Sequence, residues 1–196
     1  MGLRYAEILA AVSEQYFLAK RNSSFVGEDR TGSWSLQLEK HYLSNGLVSL
    51  KFFNFLDLGG AHPTRGIFTK NFGGSLGGKV ELKDLFRHDT ALLKFIKNYV
   101  ELDVQRQCLG PDATDGNPEY DLSMYVEEDS YKGWDVFSQW NFDESGIVIN
   151  LSQYSELPFV MGVFSVSIPW DHFVDKVDEE FADTEIGQFI ASKRLS

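Results

Sequence analysis

The sequence predicts an α+β fold, with an antiparallel β-sheet built from hairpins and helices packed on it. Three observations lead there. Runs of alternating or β-rich residues lie next to one another and are separated by short turn signals, as in hairpins rather than crossover units. Helical periods are few and do not alternate one for one with the strands, as a parallel sheet would require. The chain has 196 residues, including 16 Phe, 8 Tyr and 4 Trp, so it can bury a sizeable core without staples. Cys108 is the only cysteine, which leaves no partner for an internal disulfide.

Residues 3–20 read as an amphipathic helix, with Leu3, Ile8, Leu9, Val12, Tyr16 and Phe17 near a 3.6-residue period. A hairpin follows. Residues 33–43 place Trp34, Leu36 and Leu38 on one face, residues 47–58 are β-rich, and Ser44-Asn45-Gly46 between them supplies the positive φ that a tight turn needs. Gly59-Gly60 breaks the second strand, and residues 65–72 predict a third. The glycines at 73, 74, 77 and 78 form a turn into an extended segment, Lys79–Leu82.

A helix is predicted over 89–105, with a stripe of Leu92, Phe95, Ile96, Tyr99 and Val100 and with Asp89 or Thr90 as its cap. Residues 109–121 read as a loop. A second antiparallel pair is expected from 134–142 and 147–153 around a turn at Asp143–Gly146. The last strand is 163–169. From Trp170 the pattern predicts one acidic terminal helix with Phe173, Val174, Val177 and Phe181 on one face. The expected organisation is a helix and hairpin over 1–58 and a larger unit over 59–196, packed as one body.

Charge is unevenly spread. Residues 1–100 hold 13 Lys/Arg and 9 Asp/Glu, a net of +4, whereas residues 101–196 hold 5 Lys/Arg and 20 Asp/Glu, a net of −15. Such a balance disfavours nucleic acid, which needs a concentrated basic surface. It suits solubility and the steering of a cationic partner. No run approaches the roughly 18–20 apolar residues of a membrane span. Residues 1–17 do not read as a signal peptide, because Glu7, Ser13, Glu14 and Gln15 interrupt the apolar positions.

His62, just after the glycine pair, is the one tempting catalytic residue. It would act as a general base oriented by Asp57, whereas the plainer reading is a histidine that holds a strand-ending loop. His41, His88 and His172 are scattered without ligand spacing, so no metal and no cofactor is expected. The Asp112–Asp121 loop fails the calcium-loop pattern: with Asp115-Gly116 at positions 5 and 6, positions 1, 3 and 12 are Pro111, Ala113 and Leu122. Gly73–Gly78 lacks the Lys-Ser/Thr and the following helix of a phosphate cradle. Trp134 and Trp140, an even six apart, would share a face of one regular strand and offer a sugar-stacking platform; the plainer reading is core packing.

Three segments taken together resemble a known family. They are Leu58-Gly59-Gly60-Ala61-His62-Pro63 after a strand, Leu82-Lys83-Asp84-Leu85-Phe86 after a glycine-rich turn, and Tyr154-Ser-Glu-Leu-Pro158 through Gly162 to Ile168-Pro169-Trp170. Their order and spacing resemble the C-terminal domain shared by the lysozyme-sensing anti-sigma factor RsiV and the peptidoglycan deacetylase PdaC. The likeness covers roughly residues 47–175, and residues 3–46 look like the tail of the companion domain. Val160-Met161-Gly162 departs from the usual Ala-Ala-Gly. With no deacetylase domain and no sigma-factor-binding segment in this chain, neither activity carries over.

What the resemblance implies is an extracytoplasmic, cell-envelope module of bacterial type. The expectation is therefore non-catalytic recognition of a cationic protein such as lysozyme, or of a cell-wall glycan. Gly59, Gly60, His62, Glu127, Glu128, Asp129, Asp143, Glu144 and Tyr154 are the candidate contacts. The alternatives are an envelope hydrolase using His62 with a nearby carboxylate, and a purely structural module.

Overall fold

The computed structural model describes residues 33–44, 46–57, 62–73, 78–86, 89–109, 131–152 and 162–195. The helix expected over 3–20 lies outside the described residues, as does the acidic loop from 110 to 121.

The α+β expectation holds, with two three-stranded antiparallel sheets in place of one. The first is β1 (Ser33–Ser44), β2 (Leu47–Asp57) and β3 (Thr64–Phe72), in that order. Its hairpin closes at Ser44 opposite Leu47, and Gly46 takes φ 87°, the left-handed conformation that the Asn-Gly signal predicted. The period of two sorts β2 into faces. Val48, Leu50 and Phe52 are buried with Phe72 on one side. On the other, Leu47 joins the main core, while Ser49 and Lys51 reach residues of the second sheet.

The second sheet is β4 (Trp140–Phe142), β5 (Gly146–Leu151) and β6 (Phe164–Pro169), with β5 central and buried throughout. Between the sheets in sequence come a short helix, α1 (Leu82–Phe86), and the long α2 (Thr90–Leu109). Asp89 caps α2 as expected, its carboxylate accepting from the Leu92 N–H at 2.7 Å. The helix packs Leu92, Leu93, Ile96, Val100 and Val104 into the main core.

Three expectations are corrected. Residues 131–137 form a 3-10 helix, so the strand expected over 134–142 shortens to β4. Trp134 and Phe137, three apart in the 3-10 helix, fall on one side of it, and Trp140 opens β4. All three are 2% exposed or less, so the two tryptophans are core and present no sugar platform. Leu82 enters α1 rather than extending a strand; only Lys79 bridges to Phe72. The single terminal helix is replaced by a 3-10 turn (Trp170–His172), α3 (Glu179–Ala182), α4 (Glu185–Ser192) and a last 3-10 turn (Lys193–Leu195). Its breaks fall at side chains that cap new helices: Asp178 accepts from the Glu180 N–H, and Thr184 from the Gly187 N–H.

A polar seam joins the sheets. The Ser49 hydroxyl accepts from the Phe142 N–H at 2.8 Å and donates to Asn71 Oδ1 at 2.7 Å, while the Asn71 amide donates to the Trp140 carbonyl at 2.7 Å. Further along β3, Gln139 Oε1 accepts from the Thr69 N–H and Ser152 Oγ accepts from the Ile67 N–H. Side chains thus satisfy the backbone edge of β3 that a neighbouring strand would otherwise take. Lys51, almost buried, donates to Ser165 Oγ at 3.0 Å and pairs with Glu39.

Candidate functional site

Of the sequence-predicted site residues, Asp57, His62, Asp143 and Glu144 fall within the described structure. His62 is exposed in a bend between β2 and β3, and Asp57 is the half-buried last residue of β2. Gly59, Gly60, Glu127, Glu128, Asp129 and Tyr154 lie outside the described residues. Among the described residues, no group of three or more His, Cys, Asp or Glu is placed to hold a metal ion.

Asp143 and Glu144 form the β4–β5 turn, and both are engaged within the molecule. Asp143 Oδ1 accepts from the Ser145 N–H, and its carbonyl accepts from the Trp170 indole N–H at 2.8 Å. Glu144 accepts from the Tyr42 hydroxyl at 2.6 Å and pairs with Lys193. The Lys193 ammonium, with help from Tyr42, holds the Glu144 carboxyl below its ordinary range. Burial and this same carboxylate raise the Tyr42 phenol. Beneath them Phe189 of α4 stacks against Tyr42, Phe142 and Trp170 at 5.5 to 5.9 Å between centroids. The turn thus fastens the last helix to both sheets.

The acidic surface gathers elsewhere, along residues 171–185. This stretch carries seven acids, Asp171, Asp175, Asp178, Glu179, Glu180, Asp183 and Glu185, against one base, Lys176. Asp171, Asp175, Glu179, Glu180 and Asp183 are exposed. Lys176 pairs with Asp89 at 3.1 Å and Asp175 pairs with Arg194, so the field of the stretch comes from its other six acids. Capping explains why acids collect here: Asp178, Glu179 and Glu180 open α3, and Glu185 opens α4, where negative charge is favoured. Sequence reasoning passed over this ledge because one amphipathic helix would have accounted for the same residues. The signal was the lopsided ratio of acids to bases.

Of the hollows, the one bounded by Thr69, Asn71, Lys79, Glu81, Lys83 and Asp135 with Trp134 and Trp140 is about 20 Å³, the space of a single water. At its rim Lys83 pairs with Asp135 at 3.0 Å and Glu81 at 3.2 Å, and these partners raise its ammonium above the ordinary lysine range. A wider hollow of about 290 Å³ lies between Phe86, the start of α2 and Lys176.

Comparison with known proteins places part of this chain. Residues 83–171 match the family described as a protein of unknown function, DUF3298. A crystal structure of a DUF3298 family member from Bacteroides fragilis is similar over 91% of this chain and 65% of its own, with a TM-score of 0.55 and 17% identity. A DUF3298 family protein from Pseudomonas aeruginosa is similar over 87% of this chain and 70% of its own, with a TM-score of 0.52 and 15% identity. The chain therefore spans about two thirds of the length of these structures, and likeness at such identities is one of fold. None of the curated proteins matches the chain.

Proposed function

We propose that this chain is a non-catalytic recognition module of the bacterial cell envelope, and that its partner is a basic protein, lysozyme being the probe of choice. The observation that carries the reading is the ledge at 171–185, which holds seven acids, six of them left after Asp175 pairs with Arg194, against a single lysine already paired with Asp89. A surface of one sign on a rigid scaffold raises the rate of encounter with an oppositely charged partner, and the effect weakens with salt. The resemblance of the three sequence segments to the RsiV/PdaC domain is what suggests an envelope setting.

Calorimetric titration of the intact chain with lysozyme at low ionic strength tests the proposal. Saturable heat that shrinks as salt is added is the expected result. Absence of binding at low salt would rule lysozyme out as the partner and leave the ledge a solvated face.

A further inference from the structure

The apolar surface of helix α2 extends beyond its buried face. Its core face is Leu92, Leu93, Ile96, Val100 and Val104. A second stripe runs along its flank at spacings of four and three: Phe95 and Tyr99, both half-buried and packed against the edge of that core, and Leu102, 53% exposed. His172, the residue after the first acid of the ledge, lies against this stripe. Its ring centroid is 4.7 Å from Phe95 and 6.1 Å from Tyr99, and Phe95 and Tyr99 are 5.7 Å apart. The Asp171 carboxylate is 3.9 Å from His172 Nε2 and 78% exposed. Three rings and a carboxylate thus share one partly open patch beside the acidic ledge.

We propose that this patch is where a basic protein partner docks, by an arginine or lysine laid across the Phe95, Tyr99 and His172 rings with its cation paired to Asp171. The inference rests on the recognition role proposed above and gives it a contact point. An arginine has a long apolar stem that covers aromatic surface and a planar cation that is attracted to a ring face. The carboxylate at the edge completes the pairing, and the ledge supplies the longer-range attraction. A neutral glycan would also stack on rings, but it has no use for the Asp171 carboxylate or for the run of acids that follows it in the chain. Charge complementarity therefore selects the basic side chain.

The test uses the full chain and lysozyme. Tyr99→Ala with His172→Ala removes the platform, and Asp171→Asn removes the carboxylate while leaving the rings in place; thermal melting confirms that each variant is folded. The double variant is expected to bind about tenfold more weakly, and Asp171→Asn several-fold more weakly. Lysozyme binding by the wild type that is unchanged in both variants overturns this inference and leaves the recognition role standing. Failure of the wild type to bind overturns both. Loss, in the double variant, of binding to a soluble peptidoglycan fragment while lysozyme binding is retained would assign the platform to a glycan and refute the cationic contact.

Discussion

Ser49→Ala probes the seam between the sheets with the removal of one oxygen. Ser49 is 2% exposed, and its hydroxyl serves two buried groups, accepting from the Phe142 N–H and donating to Asn71 Oδ1. Alanine leaves both unpaired, and each buried orphan costs about 1–3 kcal/mol, so the pair should cost about 2–6 kcal/mol. That is a large share of the roughly 5–15 kcal/mol that holds a typical domain folded. For a chain of this length, about 2–4 °C per kcal/mol converts it to a melting point roughly 4–24 °C lower. Calorimetry and urea unfolding give the number. Ser167→Ala, on an exposed position of β6, serves as the comparator and should stay within about 0.5 kcal/mol of wild type. If the two variants melt together, the hydroxyl does not hold the sheets and the seam argument fails.

Gly146→Ala should destabilise by about 3 kcal/mol in urea unfolding, because an added Cβ would sit 2.1 Å from the Ile168 carbonyl oxygen across the β5–β6 ladder, a backbone neighbour that cannot swing aside. Thr184→Ala removes the hydroxyl that caps α4 and should cost about 1 kcal/mol by the same measurement. Glu144 should titrate below the usual glutamate range by NMR, since Lys193 and Tyr42 favour its ionised form. A depressed carboxyl contributes stability that is present above its unfolded value of about 4.3 and is lost as pH falls through the folded value. The exposed position keeps that contribution small and salt-sensitive, and Glu144→Gln should abolish this acid-range dependence.

Much of the fold was legible because local signals agreed with the tertiary result. Alternation and Asn45-Gly46 located the first hairpin, and Asp89 before an apolar stripe located α2. Where reading failed, two periods competed. Trp134 to Trp140 is even-spaced, which suggests one strand, but the pair spans two elements: Trp134 and Phe137 lie a turn apart in a 3-10 helix, and Trp140 opens β4, with all three buried. From Trp170 onward the apolar spacing was helical, yet Asp178 and Thr184 offered the backbone better local partners and cut the segment into pieces. The polar seam was not legible, because Ser49, Asn71 and Gln139 lie 22 to 93 residues from the partners they bond. Of the candidate site, Asp143 and Glu144 were found as turn residues, but the pairing of Glu144 with Tyr42 and with Lys193 of the last helical turn depends on contacts distant in sequence.

The account stands on the ledge as the surface that draws in a basic partner. Stopped-flow association with lysozyme, measured across ionic strength for the wild type and for a chain carrying Asp171→Asn, Glu179→Gln, Glu180→Gln and Asp183→Asn, reads that claim directly. The wild-type rate should be fast at low salt and fall steeply as salt rises, while the neutralised chain associates slowly with a shallow slope. Matching rates and slopes for the two proteins would contradict it.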